Sequence, residues 1–389
     1  MISLIPGTDF VFLVFAGIST LLYALLMANI NRGWFSLPVF ERKGGETAGI
    51  TVSLVIAVRN EEDNILHCLE DCSRQDYPGE CLEIIVVDDQ SEDQTCRLVE
   101  QFIRQHPELS FRLEKMSASK IGSSKKSALT YGISLASGTL IITTDADCRL
   151  SRSWVSVISS FFAEFRPEFL AAPVLYENDG TLFTAFQSLE FQGLMASTAG
   201  SIQAGFPLMC NGANMAFNRK AFLETGGYLS NQGIVSGDDV FLMMNIRKKY
   251  GRNAVAFLKN QDAIVWTKPP HLWKDFLNQR MRWVSKARGY RFSVVLFSAI
   301  VVYLMNVFLA SGLIIGLWNA RVFLWIFAFF LVKIIVDLPV LAGMLRFSGS
   351  LHLLAGFLPL QLINLYYVSI IGPAGLIRPF TWKGRKSTG

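Results

Sequence analysis

The sequence predicts an α/β domain carried between transmembrane α-helices, on three observations. Only 17% of the 389 residues are charged while 51% are hydrophobic, against roughly 25% charged in a soluble domain. The apolar residues concentrate at the two ends of the chain. Between about residues 50 and 290 the continuous apolar runs give way to short strands alternating with helical stretches, the pattern of an α/β unit.

Residues 10–28 are an uncharged apolar run, and a spanning helix needs about 20 residues. The competing reading is a secretory signal peptide, but residues 1–9 hold no basic residue and no convincing cleavage site follows. A membrane anchor is therefore expected. No charge falls between Arg291 and Arg321 or between Arg346 and Arg378. Residues 322–345 are also long enough to span, provided that Lys333, Asp337 and Pro339 face protein or water. One N-terminal and three C-terminal membrane segments follow.

The basic residues Arg32, Arg42 and Lys43 come after the first span and none precedes it. The positive-inside rule then puts the central segment in the cytosol. Four full crossings would leave Arg378, Lys383, Arg385 and Lys386 outside, so residues 347–377, with Pro359, Gln361, Asn364 and Pro373, are expected to be re-entrant or interfacial and the tail cytosolic. The resulting domains are an N-terminal transmembrane helix (1–31), a cytoplasmic domain (32–270), an amphipathic interface helix (271–291), C-terminal membrane segments (292–377) and a basic tail (378–389).

All six cysteines lie in the central segment without a C-x-x-C pair, which reads as reduced, structural thiols. The four histidines are not spaced as ligand pairs, which argues against zinc. A net charge of +5 without a basic cluster suits an anionic membrane surface and gives no support for nucleic acid. Internal repeats and low-complexity stretches are lacking.

Within the central segment, residues 51–58 (TVSLVIAV) form a buried strand, after which Asn60 is expected to cap a helix beginning at Glu61, Glu62 and Asp63. Residues 82–87 (LEIIVV) form a second strand running into Asp88 and Asp89, with a helix over 92–105. A short strand at 111–114, a helix over 124–136 and a strand over 139–144 (TLIITT) bring the chain to Asp145-Ala146-Asp147. Acids thus stand just past the carboxyl ends of two apolar strands, where open parallel sheets bind ligands. Neither G-x-G-x-x-G nor G-x-x-x-x-G-K-[ST] occurs, so a dinucleotide fingerprint and a P-loop are both unsupported.

Four constellations carry the chemistry. Asp88 and Asp89 can accept hydrogen bonds from a base or ribose, though a turn or helix cap uses the same residues. Asp145-x-Asp147 offers paired hard oxygens for Mg²⁺ or Mn²⁺, ions that bridge to phosphates; a solvated turn is the plain alternative. Gly237-Asp238-Asp239 opens a helical stretch and offers a general base. A G-D-D triplet also occurs in template-dependent RNA polymerases, which fits poorly with the low basic character and the flanking spans, and helix capping alone would need the same acids. Gln279-Arg280-Met281-Arg282-Trp283 lies in an amphipathic stretch suited to the headgroup level. Membrane docking accounts for its basic and aromatic residues, but not for the spacing of Gln279, Arg282 and Trp283.

Taken in order, TVSLVIAVRNE, VVDDQSEDQT, SSKKSAL, TTDADC, NGANMAF, SGDDVFL and QRMRW resemble glycosyltransferase family 2, and within it the membrane-bound branch with a Q-x-x-R-W motif that includes ceramide glucosyltransferases and hyaluronan, cellulose and chitin synthases. Each motif is short, but their order over residues 51–283 is specific. The resemblance implies a GT-A fold, a Rossmann-like mixed sheet that binds a nucleotide sugar, with a UDP-sugar as the expected donor. It implies that Asp88 and Asp89 hold the nucleoside beside Ala57, that Asp145 and Asp147 bind the diphosphate and its Mg²⁺ or Mn²⁺, and that Lys125 contacts the phosphates, with Lys126 as the alternative. Asn211 and Gly212 belong to a loop beneath the acceptor. Asp239 is the expected base, and Asp238, which stands where the family usually has Glu, lies at the acceptor. Gln279 and Arg282 serve the donor and Trp283 the acceptor. The implied reaction is inverting transfer of a sugar to a lipid hydroxyl at the cytosolic face; the alternative is a processive β-polysaccharide synthase. A catalytically dead scaffold would predict damaged acids, yet Asp145, Asp147 and Asp239 are intact. Oligomeric state is not legible.

Overall fold

The computed structural model describes residues 8–42, 49–116, 124–228, 237–289, 293–377, 380–382 and 385–387. Lys43, Ser123, Ser236, Arg291 and Arg378 lie outside the described residues, as does the side chain of Asp238. By its internal packing the chain divides into two compact units, Met1–Leu37 with Asn178–Leu208 and Pro270–Gly389, and Pro38–Glu177 with Met209–Pro269.

The second unit is built on a seven-stranded sheet. In chain order its elements are β1 (Val52–Val58), α2 (Ile65–Ser73), β2 (Leu82–Asp88), α3 (Thr95–Gln105), β3 (Phe111–Lys115), α4 (Lys125–Leu135), β4 (Leu140–Asp145), β5 (Cys148–Arg149), α5 (Trp154–Phe165), β6 (Phe169–Ala171), β7 (Val174–Tyr176), β8 (Met215–Asn218), α7 (Arg219–Glu224), α8 (Asp238–Tyr250), β9 (Val255–Phe257) and β10 (Val265–Thr267). Strands run in the order β3-β2-β1-β4-β8-β6-β9, and β5-β10-β7 form a second, small sheet. β3, β2, β1 and β4 are mutually parallel. β8 runs antiparallel to both β4 and β6. The fold is thus a mixed α/β sheet with a parallel-rich centre.

β1, β2 and β4 are buried almost throughout, as strands covered on both faces must be, which is why they read as unbroken apolar runs. α4 presses on them so closely that a Cβ at Gly132 would sit 2.6 Å from Val55 and 2.8 Å from Val87.

Two helix starts differ from expectation. α2 begins at Ile65 with no acid in its first turn, and α3 begins at Thr95. Asn60 adopts a left-handed conformation, φ 50°, which ends β1 in a turn instead of opening a helix. Its side chain accepts the Glu92 N–H (2.9 Å) instead of capping α2. Glu61, Glu62, Asp93 and Gln94 tie the two loops together, while the Glu61 and Gln94 carbonyls accept the Ile65 and Leu98 N–H groups at the helix starts. Ser124 does cap α4, accepting the Ser127 N–H.

The other unit comprises α1 (Thr8–Ser36), α6 (Leu182–Gln203), α9 (Trp273–Ser285), α10 (Val294–Gly316), α11 (Ala320–Phe347) and α12 (Phe357–Ile377), with a short β11–β12 hairpin (Phe380–Trp382, Arg385–Ser387). Four helical stretches are long and apolar enough to cross a membrane: Asp9–Ser36, Val294–Gly316, Ala320–Phe347 and Leu351–Ile377. The last runs through Pro373 without a break, where a re-entrant or interfacial segment is the expectation from sequence.

α6 groups with these helices although the sequence places it inside the cytoplasmic domain. Its small residues explain the difference. A Cβ at Gly200 would lie 2.3 Å from the Ile30 carbonyl, and one at Gly33 would lie 1.9 Å from the Gly200 carbonyl. Two backbones that close tolerate only glycine at the crossing. Gln192 of α6 also accepts a hydrogen bond from Ser348 (2.7 Å).

Lys333 and Asp337 do face protein. Lys333 donates to Asp337 (2.6 Å) and to Gln361 of α12, while Tyr23 of α1 donates to the other Asp337 oxygen (2.7 Å). The pair therefore joins α1, α11 and α12. Removing one member strands the other charge in an apolar interior, at a cost of about 3–5 kcal/mol. In detergent, Lys333→Met is expected to lower unfolding stability by that amount, and adding Asp337→Leu should recover most of it. A stable single variant would show that water reaches the pair.

Candidate active site

The parallel register fixes the site. Ala57 lies between Val87 and Asp145, and Val58 beside Asp88, so the carboxyl ends of β1, β2 and β4 reach one level. Ala57 is the one residue of β1 that is not fully buried. Asp88 and Asp89 are 4% and 1% exposed. The Asp88 carboxylate accepts the Ser91 N–H at 3.2 Å through both oxygens, the turn-forming role that its position also allowed. Burial, together with a hydrogen bond to Asp88, pushes the neighbouring Cys96 thiol up to about 12.

The loops after β1 and β2 are stitched by reciprocal bonds. Asp89 N–H donates to the Val58 carbonyl (2.9 Å), and the buried Arg59 donates to the Asp89 carbonyl (2.7 Å) and reaches Glu92 at 3.4 Å. Asn60 N–H donates to Ser91 (3.0 Å), Glu61 N–H to Thr95 (2.8 Å), and Gln94 N–H to Glu62 (2.9 Å). Gln90, like Asn60, has positive φ, 61°. Arg59 thus braces the Asp88-Asp89 turn from inside, a part that sequence reading missed although Arg59 stands in the VRNE motif.

Asp145 ends β4, and Asp147 follows across the buried Ala146, both carboxylates being partly open. Lys125, the first residue of α4, makes an ion pair with Asp145. Beneath them Cys148 contacts Asp147 (3.7 Å) and Cys68 the Asp145 carbonyl (3.8 Å). Burial, then the charges of Asp147 and Asp145, hold the Cys148 thiol protonated far above its usual range. The cysteines are all free.

This donor set fits a Mg²⁺ or Mn²⁺ that is held partly by its substrate. No cluster of three or more His, Cys, Asp or Glu ligands occurs among the described residues. Two oxygen-donating carboxylates with room in front of them are what a hard ion needs when diphosphate and water complete its shell.

The loop at 211–214 is locked from below. Asn214 is fully buried; its amide donates to the carbonyls of Pro173 and Ala263 (2.7 Å each) and accepts from Trp154 (3.1 Å). Asn211 folds over the turn by accepting the Ala213 N–H (3.0 Å). Thr143, two residues before Asp145, donates to the Gly212 carbonyl (3.0 Å). Among the described residues, a Cβ on Gly212 would meet the Asp239 Cβ at an ordinary 3.8 Å. Asp239 sits in the first turn of α8, after Gly237 with φ 102°, and is partly exposed. Thr143 and Gly212 thus link the strand of the paired acids to Asp239.

Gln279, Arg282 and Trp283 lie on α9, in the other unit. The sequence expectation passed over their neighbour Arg280, which is 3% exposed and ion-paired with Glu190 of α6 (2.5 Å). Arg280 and Arg282 are about 200° apart around the helix, so they face different surroundings.

Residues 48–286 match the family model described as Glycosyltransferase like family 2. The chain belongs to glycosyltransferase family 2. The chain is 27% identical over 253 residues to the probable glycosyltransferase YdaM of Bacillus subtilis, covering 64% of this chain and 57% of the relative. It is 27% identical over 293 residues to the β-monoglucosyldiacylglycerol synthase of Synechocystis, covering 69% and 58%. It thus spans a little under three fifths of the length of these relatives. Its fold is also that of the mannosyltransferase PcManGT from Pyrobaculum calidifontis, solved with GDP-Man and Mn²⁺, at TM-score 0.60 and 18% identity, covering 94% of this chain and 98% of that one. This is the GT-A fold.

The Thr143 link is testable. Thr143→Val leaves the Gly212 carbonyl without its side-chain donor, at a cost of about 1–3 kcal/mol for a buried group. The variant should unfold more easily and transfer sugar more slowly, and Thr143→Ser should restore both. Wild-type transfer by Thr143→Val would show that the 212 loop is held by Asn214 alone.

Proposed function

We propose that the protein is an inverting, metal-dependent glycosyltransferase of the Q-x-x-R-W branch that moves a sugar from a nucleotide-sugar donor, first of all a UDP-sugar, to a lipid hydroxyl at the cytosolic membrane face. The supporting observation is the link from Asp145 through Thr143 and Gly212 to Asp239, which gathers donor acids and a base candidate in one unit.

In this reading Asp89 and the turn made by Asp88 receive the nucleoside over the Ala57 backbone. Lys125, already neutralising Asp145, supplies the positive charge for the diphosphate, and Arg282 with Gln279 serves the same group from α9. Asp239 takes the proton from the acceptor hydroxyl, which attacks the anomeric carbon as the nucleoside diphosphate leaves. An α-linked donor then yields a β-linked product. Asn211, Gly212 and Asp238 border the acceptor, and Trp283 offers its ring to a sugar or headgroup. Mg²⁺ or Mn²⁺ held by Asp145 and Asp147, when bound, neutralises charge on the departing diphosphate.

The lipid acceptor draws support from the four apolar helices and from a relative named as a β-monoglucosyldiacylglycerol synthase. The metal draws support from the Mn²⁺ bound to PcManGT. The direct test offers a panel of UDP- and GDP-sugars with a lipid extract to the solubilised protein and reads products by mass spectrometry. A water-soluble β-glycan growing from the donor would favour a processive synthase instead.

Asp239→Asn should fold and bind donor yet lose about 10²- to 10⁴-fold in turnover, the usual worth of a general base. Near-wild-type turnover at saturating donor would move the base to Asp238. Exhaustive EDTA treatment should abolish transfer, with recovery on adding Mn²⁺ or Mg²⁺. Full activity in chelator would assign Asp145 and Asp147 another role.

A further inference from the structure

The spacing of Gln279, Arg282 and Trp283 says nothing about how these side chains are held. The structure supplies the means in Arg280. Its guanidinium meets Glu190 as a fork, Nε at 3.0 Å and Nη2 at 2.5 Å from Oε2. Its remaining nitrogen, Nη1, donates to the Gln279 side-chain oxygen. Its Cζ lies 4.2 Å from the centroid of the Trp283 ring and 4.5 Å from that of Phe276. Phe191, next to Glu190 on α6, stacks on Trp283 at 5.8 Å.

These contacts impose an order. A guanidinium has donors and no acceptor, so it selects the amide oxygen of Gln279 and turns the amide nitrogen away. Its plane, fixed by two bonds to one carboxylate, becomes a plate on which the indole rests. Neither effect survives if Glu190 ceases to be an anion, because the fork would then be free to rotate.

We propose that the Glu190–Arg280 ion pair is a positioning element for the acceptor step, holding the Trp283 ring and the Gln279 amide in a single orientation. It rests on the reading that these residues contact substrate. Arg280 and Glu190 are positioning residues that touch no reacting atom.

The test uses the full-length protein in detergent, labelled with 5-fluorotryptophan, its Trp283 resonance assigned through Trp283→Phe. Glu190→Gln, similar in size but uncharged, should shift or broaden that resonance. It should lower sugar transfer to lipid about 100-fold, the scale of a small misplacement. An unchanged resonance with unchanged transfer overturns the proposal. If Trp283→Ala transfers normally, the substrate-contact reading fails, while a resonance moved by Glu190→Gln still supports positioning. The paired exchange Glu190→Arg with Arg280→Glu restores an ion pair but takes the guanidinium off α9. Rescue of transfer by that exchange would make the pair a mere clip between helices and overturn the proposal. Should Glu190→Gln fail to fold, Glu190→Asp keeps the charge at shorter reach and should give a smaller shift and a smaller loss; wild-type values for both would again overturn it.

Discussion

A parallel sheet delivers the carboxyl ends of its strands to one edge, and here that edge is acidic. Asp88, Asp89 and Asp145 arrive at one level because β1, β2 and β4 are in register, and Asp147 follows one turn later. Carboxylates gathered in this way repel and lose hydration, so the edge is stable only with positive partners and N–H donors close by. Lys125 pairs with Asp145, the Ser91 N–H serves Asp88, and the Arg59 guanidinium lies at the Asp89 carbonyl. The rest of the catalytic unit follows from this requirement: α4 must begin at Lys125, and the loop after β1 must carry an arginine inward.

The same repulsion explains why the loops are rigid. Asn60 and Gln90 occupy left-handed conformations that non-glycine residues seldom adopt, and cross-loop bonds from Asn60, Glu61 and Gln94 hold them there. Opposite, Asn214 fixes the 211–214 loop through three bonds to surrounding groups. Donor groups set in place before the reaction need no reorganisation when charge develops, which is the larger part of electrostatic catalysis.

The parts legible in the sequence were those written in local pattern. Apolar runs that end in acids marked β1, β2 and β4, because a strand buried on both faces has no polar alternation to disguise it. The apolar spans were legible for similar reasons. What depended on tertiary partners was not. Glu61, Glu62, Glu92 and Asp93 imitate helix starts but bond across to the other loop, and α2 and α3 begin later. Arg280 looked like a spacer between Gln279 and Arg282, since nothing near it in sequence announces Glu190, ninety residues earlier. The ion pair between Lys125 and Asp145 was likewise not legible in the doubled lysine.

α6 shows most clearly where a sequence rule gives way to packing. Its polar residues and small side chains argue against lipid exposure, and by length and composition it is not among the candidate spans. Yet Gly200 lets its backbone come against α1 at Ile30, and buried Gln187, Gln192, Thr198 and Ser201 find hydrogen bonds with Pro270, Ser348 and the helix's own carbonyls. A helix so placed need not be apolar, because what surrounds it is protein. It can therefore carry a carboxylate, and Arg280 meets Glu190 there. The polarity that hid α6 from the hydropathy pattern is the property that lets it hold α9.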